Sequence, residues 1–447
     1  MALLLSLNGR AQSTQPTSQT LAEFAAERTE YASRAEATVA VLASDSLAGR
    51  GYGPADGARR AARYVAGRFR ELGLEPLGDS AGHSYYQHFP LPINTFPGPL
   101  TLALDGRTLR PGFDFIAAPD CPSARVRGRV VVLDTSWLSL DSVTLTARLR
   151  PRSLHGQVLV LRASDTKRLP QLSAPLRRWV ESADAVLVRE PKKLTASLAR
   201  TQGRQPWLRV LDSAWTRGLV PRRATLAIGA RFEPAYPAMN VIGRLRGNGT
   251  SDSVLIVTAH YDHLGQQGPA ITFYGANDNA SGTAMLLALA ASSIQARGLQ
   301  QHDLLFIAFG AEEAGLVGSE WCATHPPVPL PSIGFLLNLD LEGFGDGATV
   351  VNATLHPREF ALLDSLSRIR ATKDGKAYLT LKQRGRAANS DHYPFSERGV
   401  PAFFVYSLGG PGYYHDVRDR PKTLDLRRTN KLFMLLLQFL SALDAAP

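Results

Sequence analysis

The sequence predicts an α/β protein, in which a mixed central β-sheet is flanked by helices and a β-rich domain is inserted into the chain. From residue 240 onward, near-continuous apolar runs alternate with segments of helical periodicity. Strands that are buried on both faces of a sheet have such unbroken runs. Residues 95–235 differ, because short β-like runs alternate there with polar pieces rich in proline and arginine. At 447 residues the chain also exceeds the usual size of a single core, which favours more than one domain.

The N-terminal part, residues 20–78, has a helical pattern. Apolar residues recur at helical spacing in 20–43 and again in 57–78, where Gly73 ends the second pattern. The intervening "GRGYGPADG" has neither the preceding strand nor the spacing of a dinucleotide-binding fingerprint, so we predict a loop there.

The middle of the chain contains three short runs typical of strands, "GRVVVLDT", "GQVLVLRA" and "DAVLVRE". It contains no histidine or acidic cluster with the spacing of metal ligands. Residues 231–240, "RFEPAYPAMN", include two prolines, and we interpret them as the linker that returns to the main domain. We therefore divide the chain into four parts: a signal remnant and spacer, the N-terminal part of the main domain, the insertion, and the rest of the main domain. These parts are residues 1–19, 20–94, 95–235 and 236–447.

Charge and hydropathy exclude some function classes. The net charge is +11, but the arginine excess is scattered along the sequence without a basic block, so we interpret it as a solubilising surface rather than a nucleic-acid site. No apolar run approaches the ~20 residues of a membrane span. The N-terminal "ALLLSL" resembles the end of a secretory signal, which predicts a secreted or periplasmic protein; the alternative is a frayed terminus.

Polar side chains follow the apolar runs. Sites in open α/β sheets lie beyond the carboxyl ends of the strands, so these side chains are expected to converge. "SVLIVTA" is followed by "HYDHLG", "LLFIAF" is followed by "GAEEAG", and "IGFLLNL" is followed by "DLEG". A loop before the helix "ASGTAMLLALAASSIQARG" contains "GANDN", and a glycine-rich loop after "AFFVYSL" leads to "YYHDVRD". The sequence thus predicts a pocket of histidines and carboxylates at one sheet edge.

A pocket with this many carboxylates requires cations to neutralise it. Oxygen and imidazole ligands without thiolate suit zinc, with manganese or cobalt as alternatives. The two cysteines, Cys121 and Cys322, cannot form a cysteine-based zinc site and are expected to be free and buried. Two metal ions need about five side-chain ligands, and the chain offers that number. They are His260, Asp278, Glu313, Asp340 and His415.

Glu312 is the carboxylate left over from this set, and its place beside a ligand predicts a general base. Taken singly, each residue has an ordinary structural alternative; Asp278, for example, precedes a helix and fits an N-cap. The prediction depends on their shared position at strand ends.

The ordered motifs resemble those of a known family. "AHYDHLG", "GANDNASG", "EEAGLVGS", "NLDLEG", "SDHYPF" and "YYHDVRD" are similar, in this order, to motifs of the di-zinc exopeptidases of the aminopeptidase Y and bacterial secreted aminopeptidase type (peptidase family M28). The resemblance covers residues 240–445, and the stretch from "DSLAGRGYG" resembles the family's N-terminal part. It implies a zinc-exopeptidase, phosphorylase/hydrolase-like fold, often with a protease-associated domain where residues 95–235 lie.

The resemblance also implies a role for each matching residue. His260 and Asp340 would bind one zinc ion, Glu313 and His415 the other, and Asp278 would bridge the two. Glu312 would be the general base. Asp262 would orient His260, and Tyr414 would help to stabilise the oxyanion. Asp391 and His392 would support the pocket without binding metal.

The predicted reaction is hydrolysis of the N-terminal peptide bond of peptides with a free amine. A glutaminyl cyclase and a carboxypeptidase of the same superfamily remain alternatives, as does a non-catalytic receptor-like relative. A serine hydrolase is excluded, because the chain has no G-x-S-x-G motif. Phe273, Phe344 and Tyr413 are candidates for the wall of the specificity pocket. The sequence does not give the oligomeric state.

Overall fold

Two β-sheets organise this protein, for which we analysed a computed structural model. The structure describes residues 18–445 except 80–81, 134, 142, 145–146, 148–152, 172, 216–219, 296–299, 346 and 370–377. Most of the predicted signal remnant, residues 1–17, therefore lies outside the described residues.

The strands of both sheets extend over most of the described chain. In chain order they are β1 (Glu75–Pro76), β2 (Tyr86–Thr95), β3 (Leu100–Leu104), β4 (Arg107–Thr108), β5 (Phe115–Ala117), β6 (Ala124–Val132), β7 (Gln157–Arg162), β8 (Ala185–Glu190), β9 (Trp207–Leu211), β10 (Arg223–Ile228), β11 (Arg231–Leu245), β12 (Val254–His260), β13 (Gly265–Gln266), β14 (Thr272–Phe273), β15 (Asp303–Phe309), β16 (Ile333–Leu339), β17 (Ala348–Val351), β18 (Leu381–Gln383) and β19 (Ala402–Ser407).

The helices cover the larger sheet and connect strands of the smaller one. They are α1 (Ser18–Leu42), α2 (Gly57–Glu71), α3 (Ala163–Thr166), α4 (Ala174–Glu181), α5 (Gly282–Gln295), α6 (Val317–Thr324), α7 (Pro357–Ile369), α8 (Tyr393–Ser396) and α9 (Asn430–Asp444). Among the described helices, none is both long and apolar enough to cross a membrane.

The larger sheet has the order β1-β11-β15-β12-β16-β19-β17-β18, with β2 also paired to β11. Its centre is parallel, since β12 pairs in parallel with both β15 and β16, and β16 pairs in parallel with β19. Antiparallel strands flank this centre, because β11 is antiparallel to β15 and β17 is antiparallel to β19. All seven residues of β12 are buried, as expected for a strand covered on both faces. The predicted fold class, a mixed sheet with flanking helices, is confirmed.

Helix α5 lies in the centre of the main core. Its residues from Gly282 to Ala290 are all buried, because the sheet lies on one side and other helices lie on the other. On the outer side, the ring of Tyr31 in α1 stacks on that of Phe433 in α9 with centroids 4.3 Å apart. An apolar helix buried on all sides fixes the position of the turn that precedes it, which contains Asp278.

The insertion forms the smaller sheet, in the order β4-β3-β10-β6-β7-β8-β9-β5. β6, β7, β8 and β9 are parallel neighbours, with α3 and α4 between β7 and β8 in the chain, so the segment has more helix than its sequence indicated. One face packs against the main domain, where Leu187 and Leu208 share a core cluster with Leu264 and Phe273. The domain boundaries proposed above remain predictions.

The segment predicted as a linker is instead part of the longest strand, β11, so that interpretation was wrong. Its two prolines are tolerated for a local reason. Pro237 lies opposite Pro90 in β2, and Pro234 lies where the register shifts between Glu233 and Tyr236. β15 pairs only with the later residues of β11, so no second neighbour requires the missing N–H groups.

Some of the arginines that are scattered in sequence are gathered by the fold. Arg125, Arg127 and Arg129 alternate along β6 and are exposed, and alternate residues of a strand lie on one face. Arg223 in β10 is also exposed and lies directly opposite Arg129. Part of the excess positive charge is therefore concentrated on the open face of the insertion.

Candidate metal centre

The predicted ligands and the predicted base come together at the carboxyl edge of the parallel strands. His260 is the last residue of β12, Asp340 directly follows β16, and Glu312 lies three residues beyond β15. The other three predicted ligands lie at the same edge. Glu313 directly follows Glu312, Asp278 lies in the turn before α5, and His415 lies in the loop after β19.

The distances describe one continuous cluster. His260 Nε2 lies 3.3 Å from Asp340 Oδ1, 3.4 Å from Asp278 Oδ1 and 3.9 Å from Glu312 Oε2. On the other side, His415 Nε2 lies 3.2 Å from Asp278 Oδ2 and 2.9 Å from Glu313 Oε2. One oxygen of the Asp278 carboxylate thus faces His260 and the other faces His415, so this carboxylate lies between the two sides of the cluster.

Among the described residues, two groups of three have ligand atoms within 4.8 Å of one another. One group contains His260, Glu312 and Asp340, and the other contains His263, Asp278 and Glu313. The partition differs from the sequence-based one, because Glu312 joins the first group and His263 joins the second. His415 is not a member of the second group, but it contacts both of its carboxylates, Asp278 and Glu313. These carboxylates therefore have two histidine neighbours, His263 and His415.

The residues present fit a metal ion. Their ligand atoms are all nitrogen or carboxylate oxygen, the set that zinc takes when thiolate is absent. Asp278 Oδ2 is buried and makes no hydrogen bond, although His415 Nε2 lies 3.2 Å away. A buried carboxylate oxygen without a donor is costly, and a cation between these groups removes the cost.

The charges of the cluster shift the proton affinities of its members in opposite directions. Burial raises the pKa of Glu312 well above its usual value, although His260 opposes the shift. Burial acts in the same direction on Glu313, but the charges of His415 and His263 hold its pKa well below the usual value. Burial alone would lower the pKa of His415, but mainly the Glu313 carboxylate raises it to about 11. The two adjacent glutamates are therefore unlike in proton affinity.

The comparisons with known proteins agree with this architecture. Residues 240–440 match the sequence model of peptidase family M28. Residues 240–440 are therefore a peptidase M28 family domain. The predicted family resemblance is thereby confirmed, and we call residues 240–440 the M28 region.

The curated relatives match over part of their length. Aminopeptidase YwaD of Bacillus subtilis is 34% identical over 170 residues, which are 36% of this chain and 34% of that protein. A probable leucine aminopeptidase of Arthroderma otae is 27% identical over 166 residues, 35% of this chain and 44% of that protein. This chain thus spans about a third to under a half of the length of these relatives.

Solved structures match nearly the whole chain. BSAP, a zinc aminopeptidase from Bacillus subtilis, has a TM-score of 0.65 and 21% identity, covering 92% of this chain and 94% of its own. A peptidase M28 precursor from Shewanella amazonensis has a TM-score of 0.66 and 14% identity, covering 95% and 98%. At these identities the likeness shows the fold, which here includes the insertion.

Within the M28 region, the backbone around Asp278 is not that of a simple helix cap. Asp278 has the non-helical angles φ −110° and ψ 96°. The N–H of Gly282 donates instead to Asn279 Oδ1 at 2.9 Å, so Asn279 satisfies the start of α5. Asp419 accepts hydrogen bonds from the backbone N–H groups of Asn277 and Asp278. The side chain of Asp278 is thus left for the cluster.

Arg50 is a residue of the site that the sequence did not indicate. Its fully buried guanidinium donates to five backbone carbonyls, of Tyr261 (2.7 Å) and of four others. The others are Leu42 (2.8 Å), Tyr274 (2.7 Å), Gly275 (2.7 Å) and Asp278 (3.2 Å). It therefore joins the loop after β12 to the turn that contains Asp278, and its charge lies beneath the carboxylates. The only signal in the sequence was its position in "LAGRGYG", within the N-terminal stretch that resembles the family.

His263 was noted in the sequence but was not predicted to have a role. Its Nδ1 lies 2.6 Å from Glu313 Oε1, and the ring is fully buried. Asp262, the predicted orienting acid, lies with Oδ1 3.6 Å from His260 Nδ1 and also accepts the N–H of Glu312 at 3.2 Å. "HYDH" thus supplies contacts to both glutamates. Periodicity did not reveal this, because residues 261–263 form a loop after the end of β12.

The predicted supporting residues lie directly behind the cluster. Ser390 donates its hydroxyl to Asp340 Oδ2 at 2.9 Å and accepts the amide of Asn338 at 2.9 Å. Asp391 and His392 are fully buried beside it. Burial raises the pKa of Asp391 to about 7 and lowers that of His392 to about 4. Neither residue belongs to the two ligand groups among the described residues.

The predicted wall residues are divided between two cavities. Phe273 lines a cavity of about 260 Å³ together with Tyr52 of the N-terminal part and Ala196 of the insertion. Phe344 and Tyr413 line another of about 270 Å³. Tyr414 lines the second cavity as well; its ring stacks on that of His415 at 3.8 Å and is half exposed.

Proposed function

We propose that this protein is a metal-dependent aminopeptidase that hydrolyses N-terminal residues from peptides through a bridged di-zinc centre. One observation carries the proposal. A buried carboxylate, Asp278, faces His260 with one oxygen and His415 with the other, while Glu312 lies 3.9 Å from His260 at the rim of the same cluster. The family match of residues 240–440 and the aminopeptidase names of the relatives support the same activity.

In this proposal, His260 and Asp340 would hold one zinc ion, Glu313 and His415 would hold the other, and Asp278 would be shared. Manganese or cobalt would suit the same ligands. Bound zinc supplies Lewis acidity, which polarises the scissile carbonyl and makes a water molecule acidic enough to lose a proton near neutral pH. The remaining chemistry is the transfer of that proton, which the chain's own residues perform.

Glu312 is proposed as the group that moves the proton. Its carboxylate would accept a proton from the attacking water and return it to the nitrogen of the leaving amine as the peptide bond breaks. The burial that raises its pKa supports this role, because a more basic carboxylate is a better acceptor. Glu313, whose pKa is held low, remains ionised and suits a ligand instead.

Asp262 and Tyr414 have proposed supporting roles. Asp262 contacts both the ring of His260 and the backbone N–H of Glu312, so it would hold a ligand and the base in register. The half-exposed phenol of Tyr414 would donate a hydrogen bond to the carbonyl oxygen as negative charge develops there.

Electrostatic attraction of the substrate's free amine would restrict cleavage to the N-terminal end of a peptide. A free α-amine is a cation at neutral pH, and the carboxylates of the cluster would attract it, whereas an acetylated amine has no charge to offer. Peptides with a free N-terminus are therefore the proposed substrates.

We also propose that the protein acts outside the cytoplasm, a proposal supported by the N-terminal sequence alone.

The direct test is the initial rate of hydrolysis of a panel of aminoacyl p-nitroanilides and their N-acetylated forms, with and without a chelator. We expect chelator-sensitive cleavage of the free-amine substrates and none of the acetylated forms. Equal cleavage of both forms would contradict amine recognition. If no substrate is cleaved, incubation with an N-terminal glutaminyl peptide and assay of released ammonia tests the glutaminyl cyclase alternative, and peptides blocked at the N-terminus test a carboxypeptidase. Failure of all three would leave the receptor-like relative.

A further inference from the structure

The loop that carries His415 contains several backbone conformations with positive φ. Gly409, Gly410 and Gly412 all have positive φ, at 111°, 84° and 73°. His415 itself has φ 57°, a left-handed conformation that is unfavourable for a residue with a Cβ. A ligand at the end of such a loop needs contacts from elsewhere to stay in place.

Those contacts come from the insertion. Ala196 and His415 exchange two hydrogen bonds, since the N–H of Ala196 donates to the His415 carbonyl at 3.1 Å and His415 Nδ1 lies 2.8 Å from the Ala196 carbonyl. A carbonyl oxygen only accepts, so Nδ1 must carry a proton. Nε2 is then the nitrogen that faces Asp278 and Glu313, as metal binding requires.

Lys193 holds the same loop close to His415. Its Nζ donates to the carbonyls of Gly412 at 2.8 Å and of Tyr414 at 2.6 Å. The segment that carries these contacts is itself anchored, because Leu194 and Ala196 are buried and the Ala199 carbonyl accepts the N–H of Asn94 at 2.9 Å. It follows β8, so the parallel core of the insertion sets its position.

We propose that residues 193–196 of the insertion are a positioning clamp for His415, which fixes the backbone and the tautomer of this metal ligand. The inference rests on the proposed function in taking His415 as a ligand. It gives the insertion a definite structural role, because the metal centre of the M28 region is then complete only when the insertion is docked. Lys193 and Ala196 act through His415 and do not touch the substrate.

The first experiment compares Lys193→Met with Lys192→Met in the full chain. Both variants remove one positive charge and keep a long side chain, but Lys192 is exposed and makes none of these contacts. Zinc affinity is measured by competition with a chromophoric chelator. We expect Lys193→Met to bind one of the two ions about 10-fold more weakly, as loss of a partner behind a ligand usually does. Lys192→Met should match the wild type. A change of less than about twofold in Lys193→Met would overturn the clamp.

The second experiment needs no metal. Hydrogen exchange is followed in the metal-free protein at the amide of Asp416, which donates to the Tyr413 carbonyl at 3.1 Å. If Lys193 orders this loop, exchange should be at least about fivefold faster in Lys193→Met and unchanged in Lys192→Met. Equal exchange in all three proteins would show that the loop holds itself, and the clamp would be withdrawn.

These measurements separate the clamp from the proposed activity. If zinc binding depends on Lys193 but the protein has no peptidase activity, the aminopeptidase proposal is contradicted and the clamp is supported. If the protein has aminopeptidase activity but Lys193→Met has unaltered zinc affinity, the aminopeptidase proposal is supported and the clamp is contradicted. If the wild type binds no zinc, the proposed function fails, and the exchange rates alone decide whether the loop is clamped.

Discussion

The guanidinium of Arg50 donates a hydrogen bond to the backbone carbonyl of Asp278, 228 residues later in the chain, at 3.2 Å. The N-terminal part thus reaches under the candidate metal centre and holds the turn from which the Asp278 carboxylate extends. Burial lowers the pKa of Arg50 to about 10, against the opposing influence of Asp278 and other nearby carboxylates, so the side chain stays charged at neutral pH. This contact has a direct consequence for stability.

We expect Arg50→Met to destabilise the metal-free protein by at least about 3 kcal/mol, because several buried carbonyls lose their donor at about 1–3 kcal/mol each. Arg50→Lys should recover little, since an ammonium has three donors and no planar fork. Urea unfolding measures both. Arg63→Met, at an exposed position of α2, is the control and should stay within about 0.5 kcal/mol. A loss below about 1 kcal/mol for Arg50→Met would contradict the assigned bonds.

Glu312→Gln should fold, bind zinc as the wild type does and lose about 10²–10⁴-fold in kcat, because the amide cannot accept the proton. KM should change little. Steady-state kinetics and metal analysis on the same sample measure this, with Glu320→Gln, an exposed glutamate of α6, as the matched control. Turnover within about tenfold of the wild type would remove Glu312 from the role of base.

Removal of metal should lower the stability of the fold. With zinc at about 100 times its dissociation constant, binding adds about 2.7 kcal/mol to the free energy of unfolding, which a chelator would reverse. The melting temperature with and without zinc measures this. In Asp278→Asn the shift should largely disappear, because both ligand positions share this carboxylate in the proposed centre. An undiminished shift in that variant would rule out the shared role.

His263→Ala should weaken zinc binding by about tenfold, since Glu313 loses the contact that orients one of its oxygens at 2.6 Å. His263→Asn should recover part of the loss through its amide donor. Chelator competition gives the affinities. His155→Ala, at an exposed histidine of the insertion, serves as the control and should bind zinc normally. Wild-type affinity in His263→Ala would leave this histidine a packing role only.

The two cysteine thiols should be unreactive in the native protein. Cys121 and Cys322 are free and buried, and burial raises the pKa of Cys121 to about 12 and that of Cys322 further. Neither should react with a thiol-specific disulfide reagent at pH 8 within minutes, and both should react in guanidinium chloride. Rapid reaction of one thiol in the native state would indicate that its part of the core opens readily.

The sequence was informative where local pattern and chemistry coincide. Unbroken apolar runs indicated the parallel strands β12, β15, β16 and β19, because full burial on both faces leaves no room for alternation. The polar residues directly after those runs were expected to meet, since parallel strands end at one edge, and the structure does bring His260, Asp340 and Glu312 together. Their roles as ligands and base remain predictions.

Local pattern was misleading where pairing overrides propensity. The prolines of residues 231–240 indicated a linker, but the segment pairs with β2, where Pro237 lies opposite Pro90, so it is a strand. Likewise, arginines distant in sequence meet on β6 and β10, because sheet register and not sequence distance decides which side chains share a face.

The sequence by itself determined the fold class, the resemblance to peptidase family M28 and a set of residues with metal-binding chemistry, since these follow from residue type, period and motif order. Only the tertiary structure decided what holds that chemistry in place. Arg50 and Lys193 act through backbone carbonyls, and every residue has a carbonyl, so no motif marks such partners in a sequence. Their contacts exist only because the folded chain brings the N-terminal part and the insertion against the ends of the parallel strands.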